Sequence, residues 1–186
     1  MGEIMTGKAL KEEGLRLFRE GLYEEAAEKF EQAKEAFFNE ESEIEAAEMV
    51  NNLGVIYRSK GEWEQAIAAL EEARATFVKL EDRGREAQTL GNLGGLYAEN
   101  RQREKAVECL RQAVDIFSEI GDEQRQGETL VSLAEQKMKM GDRKAGIAAY
   151  MAGVQMQQNP PIRQKAMRSL FRLYTRLLEG KETAKE

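Results

Sequence analysis

Residues Asn51–Ala73 read NNLGVIYRSKGEWEQAIAALEEA, and the same residue types return at intervals of 40 on either side. Leu53, Leu93, Leu133 and Leu173 share one register, as do Gly14, Gly54, Gly94 and Ala134. Tyr57 with Tyr97, Ala26 with Ala66 and Ala106, and Phe37 with Phe77 and Phe117 make further columns. A helix–turn–helix unit recurring at a fixed interval marks a stacked helical array, because one unit cannot bury its apolar faces alone. The expectation is therefore an all-α fold.

Working outward, the first unit has Leu10, Leu15, Leu17 and Phe18 on one helix and Ala26, Ala27, Phe30, Ala33 and Phe37 on the next. Those spacings of three and four make one apolar face on each. In the second unit Ala66, Leu70, Ala73, Phe77 and Leu80 occupy the second helix, and Ala106, Leu110, Ala113, Phe117 and Ile120 repeat them in the third. Gly54 and Gly94 lie inside first helices, where glycine costs roughly 1 kcal/mol relative to alanine; close approach of a partner helix compensates. The fourth unit departs from the pattern: Lys137 replaces the tyrosine, Gln157 the phenylalanine, and Met138, Met140, Met151 and Met156 supply adaptable apolar bulk. Asn159-Pro160-Pro161 stops the helix, and Pro161 suits the first turn of another.

That last helix carries Met167, Leu170, Leu173, Tyr174 and Leu177 on one side, expected to cover the exposed apolar edge of the fourth unit. Arg163, Lys165, Arg168, Arg172 and Arg176 lie largely on the other. The expected organisation is one array over residues 1–180, with repeats at about 5–40, 41–82, 83–122 and 123–160, a capping helix at 161–179 and a frayed tail at 180–186.

Composition agrees with helix. Charged residues make up 33% of 186, and the two prolines are adjacent, so nothing interrupts helical periodicity until late in the chain. Neither a secretory signal nor a long apolar run opens the sequence, so the expectation is a cytoplasmic protein without a membrane association. Cys109 aligns with Ala69 and Ala149 and reads as a small half-buried residue. Charge is uneven along the chain: residues 1–60 carry net −6, residues 61–120 net −4 and residues 121–186 net +4. Either the helix surfaces simply vary in sign, or the array has an acidic start and a basic end.

An enzyme is not expected. There is no histidine, which removes the commonest general base and transition-metal ligand, and no cofactor or metal site is indicated. Gly91-Asn-Leu-Gly-Gly lacks the spacing of a phosphate loop and lies inside a helix. Nucleic acid is not an expected partner of a chain with net charge −6, although the Arg-rich last helix keeps that chemistry open locally.

The columns Leu-Gly-x-x-Tyr followed by Ala-x-x-x-Leu-x-x-Ala resemble the tetratricopeptide repeat over nearly the whole chain. The usual period there is 34 residues; the longer unit here resembles the branch found in spindle-orientation scaffolds and kinesin light chain. The resemblance implies a right-handed α-solenoid of four repeats plus a C-terminal capping helix, whose first helices line a groove for an extended peptide or a helix. Residues at i, i+4 and i+7 share a helix face, which selects Asn51, Val55 and Arg58; Gly91, Gly95 and Ala98; and Val131, Glu135 and Met138 as groove residues, flanked by Asn52 and Asn92. In the family, asparagine at the positions of Asn52 and Asn92 often bonds the ligand backbone; Val55 and Gly95 stand where a second asparagine commonly sits. Gly91, Gly95 and Ala98 strip one helical face of side chains. Either a neighbouring side chain fills that space or a bulky apolar residue of a ligand does, with Val55, Val131 and Met138 as walls. The expected function is a non-catalytic adaptor that binds a protein or peptide in the groove. The alternative is a scaffold that associates with itself, end to end or by groove-to-terminal-helix contact.

Overall fold

Seventeen residues of helix and three of turn add to 20, and two such pieces make the 40-residue period. The computed structural model describes residues 5–182, with nine α-helices and no strand among them. They are α1 (Gly7–Glu20), α2 (Tyr23–Asn39), α3 (Glu43–Lys60), α4 (Trp63–Lys79), α5 (Arg83–Glu99), α6 (Arg103–Glu119), α7 (Glu123–Lys139), α8 (Arg143–Met156) and α9 (Ile162–Glu182). α9 runs past the expected bound at 179, and residues 183–186 of the expected tail lie outside the described residues. Two compact units result, Met1–Arg101 with α1–α5 and Gln102–Glu186 with α6–α9.

The turns are one motif used repeatedly. The amides of Leu22, Ser42, Glu62, Asp82, Asp122 and Asp142 donate to the carbonyls of Leu17, Phe37, Tyr57, Phe77, Phe117 and Lys137 at 2.9–3.0 Å. That six-to-one bond satisfies a helix-end carbonyl and needs a left-handed residue just before the donor. Gly21, Gly61, Gly121 and Gly141 adopt it, but so do Glu41, Glu81 and Arg101, at φ of 58°, 57° and 59°. A residue with a Cβ is strained there by about 1–2 kcal/mol. Asp82 and Asp122 then cap the next helix, each accepting from the amide three residues on at 2.9 Å.

In the first unit, α2 and α4 bury the same alternation of small and large residues, Ala26, Phe30, Ala33, Phe37 and Ala66, Leu70, Ala73, Phe77. The first cluster joins these α2 residues to Leu10 and Leu17 of α1 and to Met49, Leu53 and Ile56 of α3; a second packs Ala47 and Val50 on Ala73 and Phe77. The glycine column explains itself here. A methyl group added at Gly14 would come within 2.7 Å of the Phe30 ring, and one at Gly54 within 2.7 Å of Leu70 Cγ.

In the second unit, Val107 and Leu110 of α6 pack on Leu133 of α7. The α7–α8 pair departs from the pattern for a definite reason: it closes on backbone. A methyl group at Gly127 or at Gly153 would stand 2.6 Å from the other glycine's carbonyl oxygen, and one at Gly146 would stand 2.5 Å from Met138 Cγ. Val131 and Ala134 pack on Tyr150 and Val154 alongside.

α9 corrects the expected docking face. Met167 and Phe171 pack on this cluster, with Phe171 edge-on to Tyr150 at 5.4 Å, while Leu170 and Leu173 are 57% and 55% exposed. Leu173 thus keeps the sequence register of Leu53, Leu93 and Leu133, all buried, without their environment. The linker Asn159–Pro161 replaces the recurring turn, and the helix meets α8 through a different side.

Urea melts test these contacts in both directions. Gly54→Leu and Gly153→Leu should each destabilise by about 1–3 kcal/mol through overpacking. Glu81→Gly should stabilise by roughly 0.5–1 kcal/mol, the relieved left-handed strain less the greater unfolded-state freedom of glycine.

Candidate functional site: the first-helix face of the first unit

Three first helices, α1, α3 and α5, are tied to one another by side chains at fixed offsets. Lys11 Nζ lies 2.5 Å from Glu48 Oε1, and the other oxygen of Glu48 lies 3.3 Å from Arg85 Nη2. Arg85 also bonds Asp82 at 2.7 Å, so one chain of alternating charge crosses all three helices. Its members are half-buried; such a network resists sliding better than an isolated surface pair, for which the usual contribution is about 0–1 kcal/mol.

One turn along, the tie is uncharged. Asn51 is 4% exposed, and its Oδ1 accepts from Thr89 Oγ1 and Asn92 Nδ2, both at 3.1 Å. The Thr89 hydroxyl has a single proton, and the Arg85 carbonyl at 2.9 Å competes for it. Further along, Arg58 makes a two-pronged contact with Glu99, Nε to Oε2 at 2.8 Å and Nη2 to Oε1 at 2.5 Å. The hydrogen bond from Arg58 holds the Glu99 carboxyl below the usual glutamate range.

These contacts redistribute the expected site. Asn51 is a buried tie between α3 and α5, where an exposed groove residue was expected. Gly95 is bare because Arg58 fills it: a methyl group there would stand 2.7 Å from Arg58 Nη1. Gly91 is different, since nothing lies within 4 Å of where its methyl would be. Val55, Ala98 and Asn92 are half-exposed. Asn52 is also half-exposed, with its Nδ2 buried and without a hydrogen-bond partner. In the second unit, taken by itself, Glu135 is exposed, but Val131 is packed into the α7–α8 core because it meets Tyr150 and Val154, and Met138 is half-buried against the same cluster. Those two are core residues of that unit. The ties among α1, α3 and α5 are not among the sequence expectations, although a signal exists: Lys11, Glu48 and Arg85 are 37 apart, and Asn51–Asn92 and Arg58–Glu99 are 41 apart. These offsets bracket the period and differ by one helical turn.

Among the described residues no group of three or more His, Cys, Asp or Glu is placed to hold a metal ion, and no helix is long and apolar enough to cross a membrane. The half-buried Cys109 sits where its column predicted.

Comparison with known proteins agrees with this architecture. Residues 45–119 match the tetratricopeptide repeat model. The fold is shared with BtubC (BKLC) from P. vanneervenii, at 22% identity over 83% of this chain and 67% of that one, with a TM-score of 0.72. It is also shared with aspartyl phosphate phosphatase F from Bacillus subtilis, at 15% identity, 89% coverage and a TM-score of 0.78. A Rap protein complexed with competence and sporulation factor gives 18%, 84% and 0.71. This chain spans 42% and 44% of the length of the latter two. No curated protein matches the chain in sequence. The described chain thus has an all-α helical-repeat fold, and its residues 45–119 are similar to the tetratricopeptide repeat.

Two measurements check the site. Gly91→Ala should raise stability by about 1 kcal/mol, the ordinary helix-interior gain, whereas Gly95→Ala should gain less because it must displace the Arg58 guanidinium; paired denaturant melts decide. A side-chain carboxyl NMR titration should find Glu99 ionising below the ordinary glutamate range, and Arg58→Ala should return it there. A depressed carboxylate favours the fold above its unfolded value, so this pair's contribution is present at neutral pH and is lost as pH falls through the depressed value.

Proposed function

We propose that the chain is a non-catalytic binding module that takes a peptide or helical segment of a partner protein on the first-helix face of α3 and α5, centred on Gly91. The observation that carries this reading is the open space at Gly91, a glycine that helix packing does not require. A glycine inside a helix costs roughly 1 kcal/mol relative to alanine, and here no neighbouring side chain recovers it. Half-exposed Ala98 shares the helix face of the bare position and half-exposed Asn92 follows it in sequence, while Asn52 and Val55 are half-exposed on α3. Apolar contact with a few placed amides is what a peptide site needs. Asn52 adds an unspent donor: a turn of its amide would offer Nδ2 to a ligand carbonyl. The likeness to a Rap protein that is complexed with a factor, and the tetratricopeptide match itself, support a polypeptide ligand over a small substrate.

Gly91→Leu is the direct test, because it fills the space without touching the fold. It should abolish capture of the partner while leaving the thermal melt unchanged or raised. Asn52→Ala should weaken binding by about 1–3 kcal/mol. Gly91→Leu protein that binds its partner as tightly as wild type would remove this face from consideration.

A further inference from the structure

We infer that this chain carries a complementary pair of surfaces for a second copy of itself: an acidic ridge on α2 ending in Phe38, and an apolar socket on α9 edged by arginine. This stands independently of the first-helix face, since it uses the outer side of α2 and the terminal helix.

The ridge comes first. Glu24, Glu28, Glu31, Glu35 and Phe38 recur at spacings of four and three, so they form one row along α2. All but Glu31 are exposed, and Phe38 is 77% exposed, beside a shallow recess formed with Lys34, Glu35 and Asn39. Phe38 stands outside the first cluster, which uses Phe37. In the same column, 40 residues apart, stand Val78, Ser118 and Gln158, so the repeat does not ask for an aromatic residue there.

The socket lies wholly within the second unit. Met138, Ile147, Leu170, Phe171 and Tyr174, with Arg143 at the edge, line a groove of about 430 Å³. The groove is roomy for a phenyl ring, since whole small-molecule sites begin at about 300 Å³. Along the same helix, Leu170 and Tyr174 of the groove together with Ile162 and Leu173 leave four large apolar side chains in water, which a monomer rarely does without use. Lys165, Arg172 and Arg176, at i, i+7 and i+11, run exposed alongside this stripe, and Arg163 is exposed among the apolar residues.

Each surface therefore has what the other lacks. The α2 row offers carboxylates, of which Glu24 and Glu31 are already paired with Lys60 and Lys34, and one protruding ring; the α9 face offers guanidinium groups and one apolar recess. Two α9 helices would set arginine against arginine, which disfavours a symmetric α9–α9 dimer and favours α2 of one copy against α9 of the next. A contact between two different surfaces is heterologous, so it leaves an unused ridge and an unused socket at the ends and propagates unless it closes into a ring. The charges would steer the encounter and make it salt-sensitive; the ring would hold it.

The test uses the full chain in sedimentation velocity across a concentration series at low and high salt. Wild type should associate as concentration rises and do so less at high salt. Phe38→Ser, which removes the ring, and the double variant Leu170→Ser with Tyr174→Ser, which removes the socket, should each weaken association at least about tenfold, as expected for unburying one such side chain. Circular dichroism should show both variants folded, since these side chains are exposed. Mixed one to one, they should form a dimer and nothing larger, because one intact ridge meets one intact socket. A wild type that remains monomeric throughout the series would overturn the inference. So would variants that associate as wild type does, or a mixture that yields no dimer.

Discussion

Helix pairs in this protein close because side chains are missing from particular places. Gly14 faces Phe30, Gly54 faces Leu70, and Gly127 faces the backbone of Gly153; at each, one added methyl group would occupy space already filled. The large residue on the second helix is thus received by an absence on the first. Alternation on α2 and α4, alanine then phenylalanine or leucine, keeps the axes close enough for the ring to reach that absence. The recurring turn of three residues holds the register in which these absences and rings meet. Where its left-handed residue is Glu41, Glu81 or Arg101 instead of glycine, backbone strain is tolerated to keep the period.

Much of this was legible in the sequence, because packing within a pair depends on residues that recur. The helices, their turns and the buried columns follow from the 40-residue spacing of Leu53, Gly54, Ala66 and Phe77 and their counterparts. α9 was misread at its docking side for a physical reason. Leu173 keeps the column, but burial depends on the angle at which a helix arrives, and Asn159–Pro161 sets an arrival that the three-residue turn does not. The fourth pair looked degenerate when read for its absent Tyr and Phe; its glycines at 127, 146 and 153 carry the packing that the missing rings would have supplied.

The candidate site was half legible. A bare helical face could be read from Gly91, Gly95 and Ala98, but which glycine is open cannot be read from spacing, since it depends on where Arg58 points. Glu99 decides that by holding the guanidinium over Gly95. Asn51 looked like its neighbour Asn52 in sequence, yet one turns inward to Thr89 and Asn92 while the other keeps an unpartnered amide. The ion chain through Lys11, Glu48 and Arg85 and the amide tie at Asn51 fix α1, α3 and α5 against one another. That rigidity suits recognition, because a preorganised face spends less of its binding energy on being ordered.

The central claim is that a partner protein meets the open position at residue 91. A photo-cross-linking amino acid placed at position 91, with a second protein carrying it at position 71 on the exposed side of α4 as the control, tests this in cells that make the protein natively. The account predicts a cross-linked partner from position 91 and none from position 71. A partner cross-linked from position 71 and absent from position 91 would contradict it.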